Sequence, residues 1–228
     1  MPKAYFSREL FRFLDDLSAH NERPWFQENK GRYERHVKDA ALAFIEDVDE
    51  PLREISPHLV ADPSPVGGSL FRIYRDTRFS KDKSPYKTHV GIRFQHERGK
   101  DVHTPGFYLH IGRDGAWIGC GIWRPDGDAL FKIRTAIVED PDAWKRAVGT
   151  EPFRSAFELH GETLKRGPRG FDLDHPLIED LKRKDFVGTA PIAKKALLAP
   201  DFLDTFIARC REGSPLNRFI CGALGLAY

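Results

Sequence analysis

Apolar residues recur every three or four positions at both ends of the chain and every second position in the middle. Near the N-terminus Leu10, Phe13, Leu14 and Leu17 share one helical face, and Ser7 is placed to cap it. Residues 21–24 break that pattern, and Pro24 fits the first turn of a short helix carrying Trp25 and Phe26. Tyr33, Val37, Ala41, Phe44, Val48, Leu52 and Ile55 then step by three or four, which predicts a long amphipathic helix. Pro51 falls inside it and is expected to kink or split it. From residue 70 the period is two, and residues 70–75, 90–95, 107–111 and 116–123 read as strands. Arg113-Asp114-Gly115 is a tight-turn sequence that makes a hairpin of the last two.

Helical spacing returns after Pro125. Leu130, Phe131, Ile133 and Ile137 mark one helix, with Asp126 or Asp128 as its cap, and Asp140-Pro141 starts another that carries Trp144. Asp174 is placed to cap a third with Leu177, Ile178 and Leu181. Asp201 and Ser214-Pro215 are expected to start two more. Helices, then strands, then helices predicts an α+β fold. The expected architecture is a central antiparallel sheet of about four strands, flanked by N-terminal and C-terminal helices packed on one face. One domain is expected over 1–228, helical over 1–60, sheet over 69–124 and helical over 126–228.

Charge sharpens this outline at one place. With 36 basic and 34 acidic side chains the net charge is only +2, so attraction for an anionic partner must come from a local patch. Residues 70–93 supply one: Arg72, Arg75, Arg78, Lys81, Lys83 and Lys87 stand there against only Asp76 and Asp82. Backbone N–H groups, hydroxyls and lysines in a tight loop are a common way to hold phosphate oxygens. A salt-bridge network involving Asp76 is the competing explanation. The spacing does not match the phosphate-loop pattern GxxxxGK[ST]. Lys165, Arg166 and Arg169 form a second basic loop, expected to fold back towards the first.

Strand alternation divides the sheet into two faces. Phe71, Ile73, Val90, Ile92, Phe94, Phe107, Leu109, Ile111, Ile118, Cys120 and Ile122 form the core side. Arg72, Tyr74, Gly91, Arg93, Gln95, Tyr108, His110, Trp117, Gly119, Gly121 and Trp123 form the other. Glycines within strands mark close approach by a ligand or another backbone, and the aromatic and arginine residues offer stacking surfaces and planar forks. The alternative is that C-terminal helices cover this face. Arg72, Arg75, Arg78, Lys81, Lys83 and Lys87 are the candidate anion holders, with Arg169. Tyr86 and Arg93 are placed to orient the anion, and Trp117 or Trp123 to stack on an attached ring, with Tyr108 a further ligand-binding candidate. His89 and His110 are the candidate general acid or base, since nearby arginines favour the neutral imidazole.

The segment FRIYRDTRFSKDKSPYKTHVG, residues 71–91, resembles the signature of a widespread bacterial and fungal family of conserved proteins of unknown function. LKRGPRGFDLDHP, residues 164–176, resembles that family's second block, and the similarity runs through nearly the whole chain. It implies one architecture for both blocks and transfers no catalytic residue and no substrate.

Other chemistry finds little support. His89, His96, His103 and His110 recur every seven residues, and Asp172, Asp174 and His175 cluster. There is no HExxH and no Cys/His grid, so no metal and no cofactor is implied. There is no GxSxG. Cys120, Cys210 and Cys221 are odd in number without a CxxC spacing, as for reduced thiols in a cytoplasmic protein. No leader and no apolar run of about 20 residues is present, so no membrane partner is expected. The function expected is binding of a small anionic, phosphorylated or nucleotide-like ligand. A single-stranded nucleic-acid module and a protein-interaction scaffold are the competing readings.

Overall fold

Helix α1 (Arg8–Ala19) buries Leu10, Phe11, Phe13, Leu14 and Leu17, the face its spacing predicts. The structure is a computed structural model that describes residues 3–99 and 104–228. Helix α2 (Arg23–Tyr33) carries Pro24 in its first turn. A π-helical turn, Glu34–Lys38, joins it to α3 (Asp39–Arg53). The expected split at Pro51 does not occur, because the proline lies close to the end of α3, where it removes one hydrogen bond and leaves the apolar face intact.

Six strands form one antiparallel sheet: β1 (Leu59–Val60), β2 (Val90–His96), β3 (Gly106–Ile111), β4 (Ala116–Ile122), β5 (Glu158–His160) and β6 (Phe186–Ile192). Their order is β1-β2-β3-β4-β6-β5. The expectation of about four strands is therefore too low: β2, β3 and β4 are three of the expected strands, residues 70–75 drop out, and β1, β5 and β6 are added. Residues 70–75 do not form a continuous strand. Leu70 bridges Ile92, the Phe71 N–H donates to the Gly91 carbonyl and the Arg93 N–H to that of Ser69. That register reaches the start of β2 at Val90 within two residues, so the chain has no further partner and leaves the sheet. It turns instead into an irregular hairpin closed by a Tyr74–Tyr86 bridge.

Of the added strands, β5 and β6 lie inside the region expected to be helical. Phe186, Gly188, Ala190 and Ile192 are buried with strand periodicity and pair with β4 over its full length. Gly188 and Pro191 interrupt the pattern in the sequence. The glycine is a packing requirement: a Cβ there would stand 3.1 Å from both Cys120 Sγ and the Phe153 ring.

The remaining helices are α4 (Gly127–Glu139), α5 (Pro141–Gly149), α6 (Glu151–Ala156), α7 (Ile178–Leu181), α8 (Lys194–Leu197) and α9 (Phe202–Ala223). Asp126 caps α4 and Asp140 caps α5, each accepting a backbone N–H at 2.8 Å. Asp174 does not cap α7; its own N–H donates to Asp172, and His175 Nδ1 accepts from Leu177. Ser214-Pro215 starts no helix, because α9 runs through it, with Ser214 buried and its hydroxyl 2.9 Å from that of Tyr228.

Helix α9 crosses β4 where Gly213 leaves room for Cys120. Phe94 of β2 meets Phe44 of α3 and Phe206 of α9, so α3 and α9 share the core face of the sheet. From Val90 to Ile122 every strand residue assigned to the core side is buried. Among the described residues no helix is long and apolar enough to cross a membrane.

Candidate functional site

The sheet register sets out the opposite face in rows. Arg93, Tyr108, Gly119 and Thr189 face one another across β2, β3, β4 and β6. Gly91, His110, Trp117 and Pro191 form the next row on one side, and Gln95, Gly106, Gly121 and Val187 the next on the other. A groove of about 520 Å³ runs over these rows, and none of its described lining residues belongs to a helix. The face is an open floor, walled at one end by Phe71, Lys87 and His89 and at the other by Trp123.

Two glycines make this floor possible. A Cβ at Gly91 would collide with the Tyr108 hydroxyl, so its absence lets Tyr108 lie across β2. Gly121 has φ of 108°, and a Cβ there would overlap the Phe186 carbonyl oxygen. Asn217 of α9 secures the same point from below. Its Oδ1 accepts the Gly121 N–H at 2.8 Å, and its Nδ2 donates to the carbonyl of the facing Gly106 at 3.1 Å. Just beyond Trp123, Arg124 takes φ of 49°, held by an N–H bond of 2.7 Å to Asp185. Its guanidinium lies over the Trp123 ring at 4.6 Å.

Aromatic rings pave the groove. His89 stacks on His110 at 4.6 Å, His110 on Trp117 at 5.0 Å, and Tyr108 meets Trp117 at 5.3 Å. Phe71 leans on Tyr108 at 5.8 Å and carries Lys87 and Arg93 at 5.3 and 5.4 Å from its ring. Alternation assigns Phe71 to the core and Arg72 and Tyr74 to the floor. The structure reverses this for Phe71, which lines the groove, whereas Arg72 and Tyr74 are exposed outside it. The pairing with β2 ends there, so the two-residue period no longer fixes the face.

Burial pushes the His110 imidazole down to about 4, with His89 adding to the effect. His89 is lowered by burial and then by Lys87 and Arg75. Both rings are therefore neutral at pH 7 and each offers one acceptor nitrogen. Burial pushes Tyr108 up to about 12, which keeps its hydroxyl a donor. Lys87 is lowered by burial and then by Arg72, and its Nζ donates to the Arg72 carbonyl at 2.9 Å.

The basic loop is partly compensated within itself. Arg75 pairs with Asp82. Arg78 grips Asp76 through two nitrogens at 2.7 and 3.0 Å, which holds that carboxyl down at about 2. Lys83 donates to the Thr77 carbonyl at 2.8 Å. Arg72 and Lys81 are exposed and carry no ion pair among the described residues. Tyr86 is buried and stacks on Phe26 at 4.1 Å, while the Asn21 side chain exchanges two 3.0 Å hydrogen bonds with its backbone. Tyr86 thus anchors the hairpin to α2, and the sequence showed no pairing of Asn21 with it. The described contacts of the second basic loop lie elsewhere: Phe171 rests on Phe131 of α4, and Leu164 bonds to the Lys182 carbonyl. Arg169 is exposed on that loop.

Of the candidate residues, the structure gathers Lys87, His89, Arg93, Tyr108, His110, Trp117 and Trp123 in the groove. Arg75, Lys83 and Tyr86 line a separate recess against α2. Thr104, Val187 and Asn217 were not singled out from the sequence, although the first two line the groove and the third braces it. Among the described residues no three His, Cys, Asp or Glu side chains gather as a metal-binding group. His96 lies 3.0 Å from the Ala227 carbonyl, and His103 is outside the described residues. The three cysteines are buried and free, and burial raises each thiol's pKa, so none is a ready nucleophile.

Comparison with curated proteins and with solved structures finds no match. One family model, that of the conserved hypothetical proteins DUF2461, matches residues 9–219. The chain belongs to this family of unknown function.

Proposed function

We propose that the groove binds a small ligand made of a flat ring and one anionic group, phosphorylated or nucleotide-like. The observation that carries this reading is the placement of Lys87 and Arg93 around Phe71, at one end of a floor paved by Tyr108, His110 and Trp117. A ring laid on that floor gains stacking contact, worth about 1–3 kcal/mol per base in single-strand binders. The two cations then meet its anionic group. The neutral His89 and His110 accept hydrogen bonds from the ring or its substituents, and they are the groups placed to take a proton if the ligand is turned over.

A single-stranded nucleic acid needs cations spaced along a track. Arg75, Arg78 and Lys83 are not among the groove's described lining residues. Lys87 and Arg93 are the cationic side chains among the groove's described lining residues, and they sit together at one end. That arrangement favours one anionic group over a phosphate chain. Thermal-shift screening of nucleoside monophosphates against their parent nucleosides tests the reading. Stabilisation by the phosphorylated members, weakened in Trp117→Ala, is expected. Equal response to both sets, or none to either, would overturn it.

A further inference from the structure

Between α2 and the hairpin of residues 73–87 lies a second recess, of about 460 Å³, separate from the groove. We infer that it is a binding site for the phosphate group of a small phosphomonoester. This rests on residues other than those of the groove and stands whether or not the groove takes a ligand.

Three cations line the recess: Arg23 from α2, and Arg75 and Lys83 from the hairpin. One carboxylate, Asp82, is paired with Arg75. The local balance is therefore two positive charges, which a phosphomonoester dianion matches (about −1.5 to −2 at neutral pH). The donors are not exhausted by the contacts within the loop. Arg75 bonds Asp82 through one nitrogen and Lys83 bonds Thr77 through one proton, out of five and three N–H donors. Arg23 makes no hydrogen bond or ion pair among the described residues and is exposed at the rim. Those existing bonds also hold Arg75 and Lys83 in place before any anion arrives, which lowers the cost of ordering them.

The frame around these cations is rigid. Tyr86, which backs the recess, is stacked on Phe26 at 4.1 Å and tied through its backbone to Asn21. The backbone of α2 is thus tied to that of the hairpin. Planar guanidinium forks on two sides suit a tetrahedral oxyanion. The volume falls among those of small-molecule pockets, roughly 300–1,000 Å³, and exceeds what a bare phosphate fills. Gln27 and Thr77 offer hydrogen bonds to a polar carrier. The same charges would attract inorganic phosphate, so the test separates that source from an organic ester.

Calorimetric titration of the intact protein uses four probes: ribose 5-phosphate, inorganic phosphate, sulfate and ribose. The ester is expected to bind more tightly than either inorganic anion, and ribose not at all. Arg23→Ala, at an exposed position, should weaken the ester about tenfold, the scale of one lost charge-assisted hydrogen bond. Arg23→Lys, which keeps the charge and loses the fork, should fall between. Trp117→Ala should leave the ester's affinity unchanged. The proposal is overturned if no probe binds or if the inorganic anions bind as tightly as the ester. It is equally overturned if Trp117→Ala abolishes binding while Arg23→Ala does not, which would move the anion into the groove.

Discussion

Replacing Asn217 by leucine keeps the size of the side chain and removes both hydrogen-bonding atoms. Asn217 is fully buried in the middle of α9 and bridges two facing backbone groups, the Gly121 N–H and the Gly106 carbonyl. An unsatisfied buried polar group costs about 1–3 kcal/mol, so two cost about 2–6 kcal/mol. The more apolar leucine returns about 1–2 kcal/mol of burial. The middle of that balance, a net loss of about 2.5 kcal/mol, is expected, read as a lower urea midpoint with an unchanged slope. Asn217→Asp tests the assignment of atoms. It keeps an acceptor for Gly121 and presents a carboxylate oxygen to the Gly106 carbonyl, so it should destabilise at pH 7 and recover in part on acidification. A loss below about 0.5 kcal/mol for the leucine variant, the size of an ordinary surface change, would refute the bridge.

Other expectations follow from the same geometry. Gly121→Ala should cost about 3 kcal/mol or more, combining left-handed strain with a clash against backbone; a melt within a degree of the parent would contradict the packing. His110 is held neutral below its ordinary 6.5, so an unfolded chain binds the extra proton first. The stability this gives is present above pH 6.5 and lost as pH falls towards about 4. His110→Gln should therefore narrow the difference between melting temperatures at pH 7 and pH 5. Arg78→Ala should leave both the melting temperature and groove binding unchanged, because its partner Asp76 is an exposed loop residue outside the groove.

The groove was legible wherever regular pairing holds. Residues on β2, β3 and β4 alternate strictly, so Arg93, Tyr108, His110 and Trp117 could be placed on one face from their spacing alone. Legibility failed where pairing stops. Phe71 and Arg72 stand at the point where β2 runs out, and the alternation inverts. It failed again at β6, which lies in the region expected to be helical although the backbone spans the whole of β4. The charge cluster was visible as a composition but not as a partition. Ion pairs over short separations, such as Arg75 with Asp82, neutralise part of it, and only Lys87 and His89 turn back over the sheet. Asn21 and Asn217 left no signal, since their partners are backbone groups 65, 96 and 111 residues away.

The groove's role as a ring-and-anion site meets its most direct test in tryptophan fluorescence. Trp117 lies on the groove floor and Trp123 at its mouth, so a bound ring should quench the emission. Titration of the intact protein with adenosine monophosphate and with adenosine, beside Trp117→Phe and Lys87→Met, separates stacking from charge. Saturable quenching by the monophosphate, weaker for adenosine, reduced in Trp117→Phe and shifted to higher concentration in Lys87→Met, is the predicted result. Quenching equal for the two compounds and indifferent to Lys87→Met, or no quenching across a panel of nucleoside monophosphates, would contradict it.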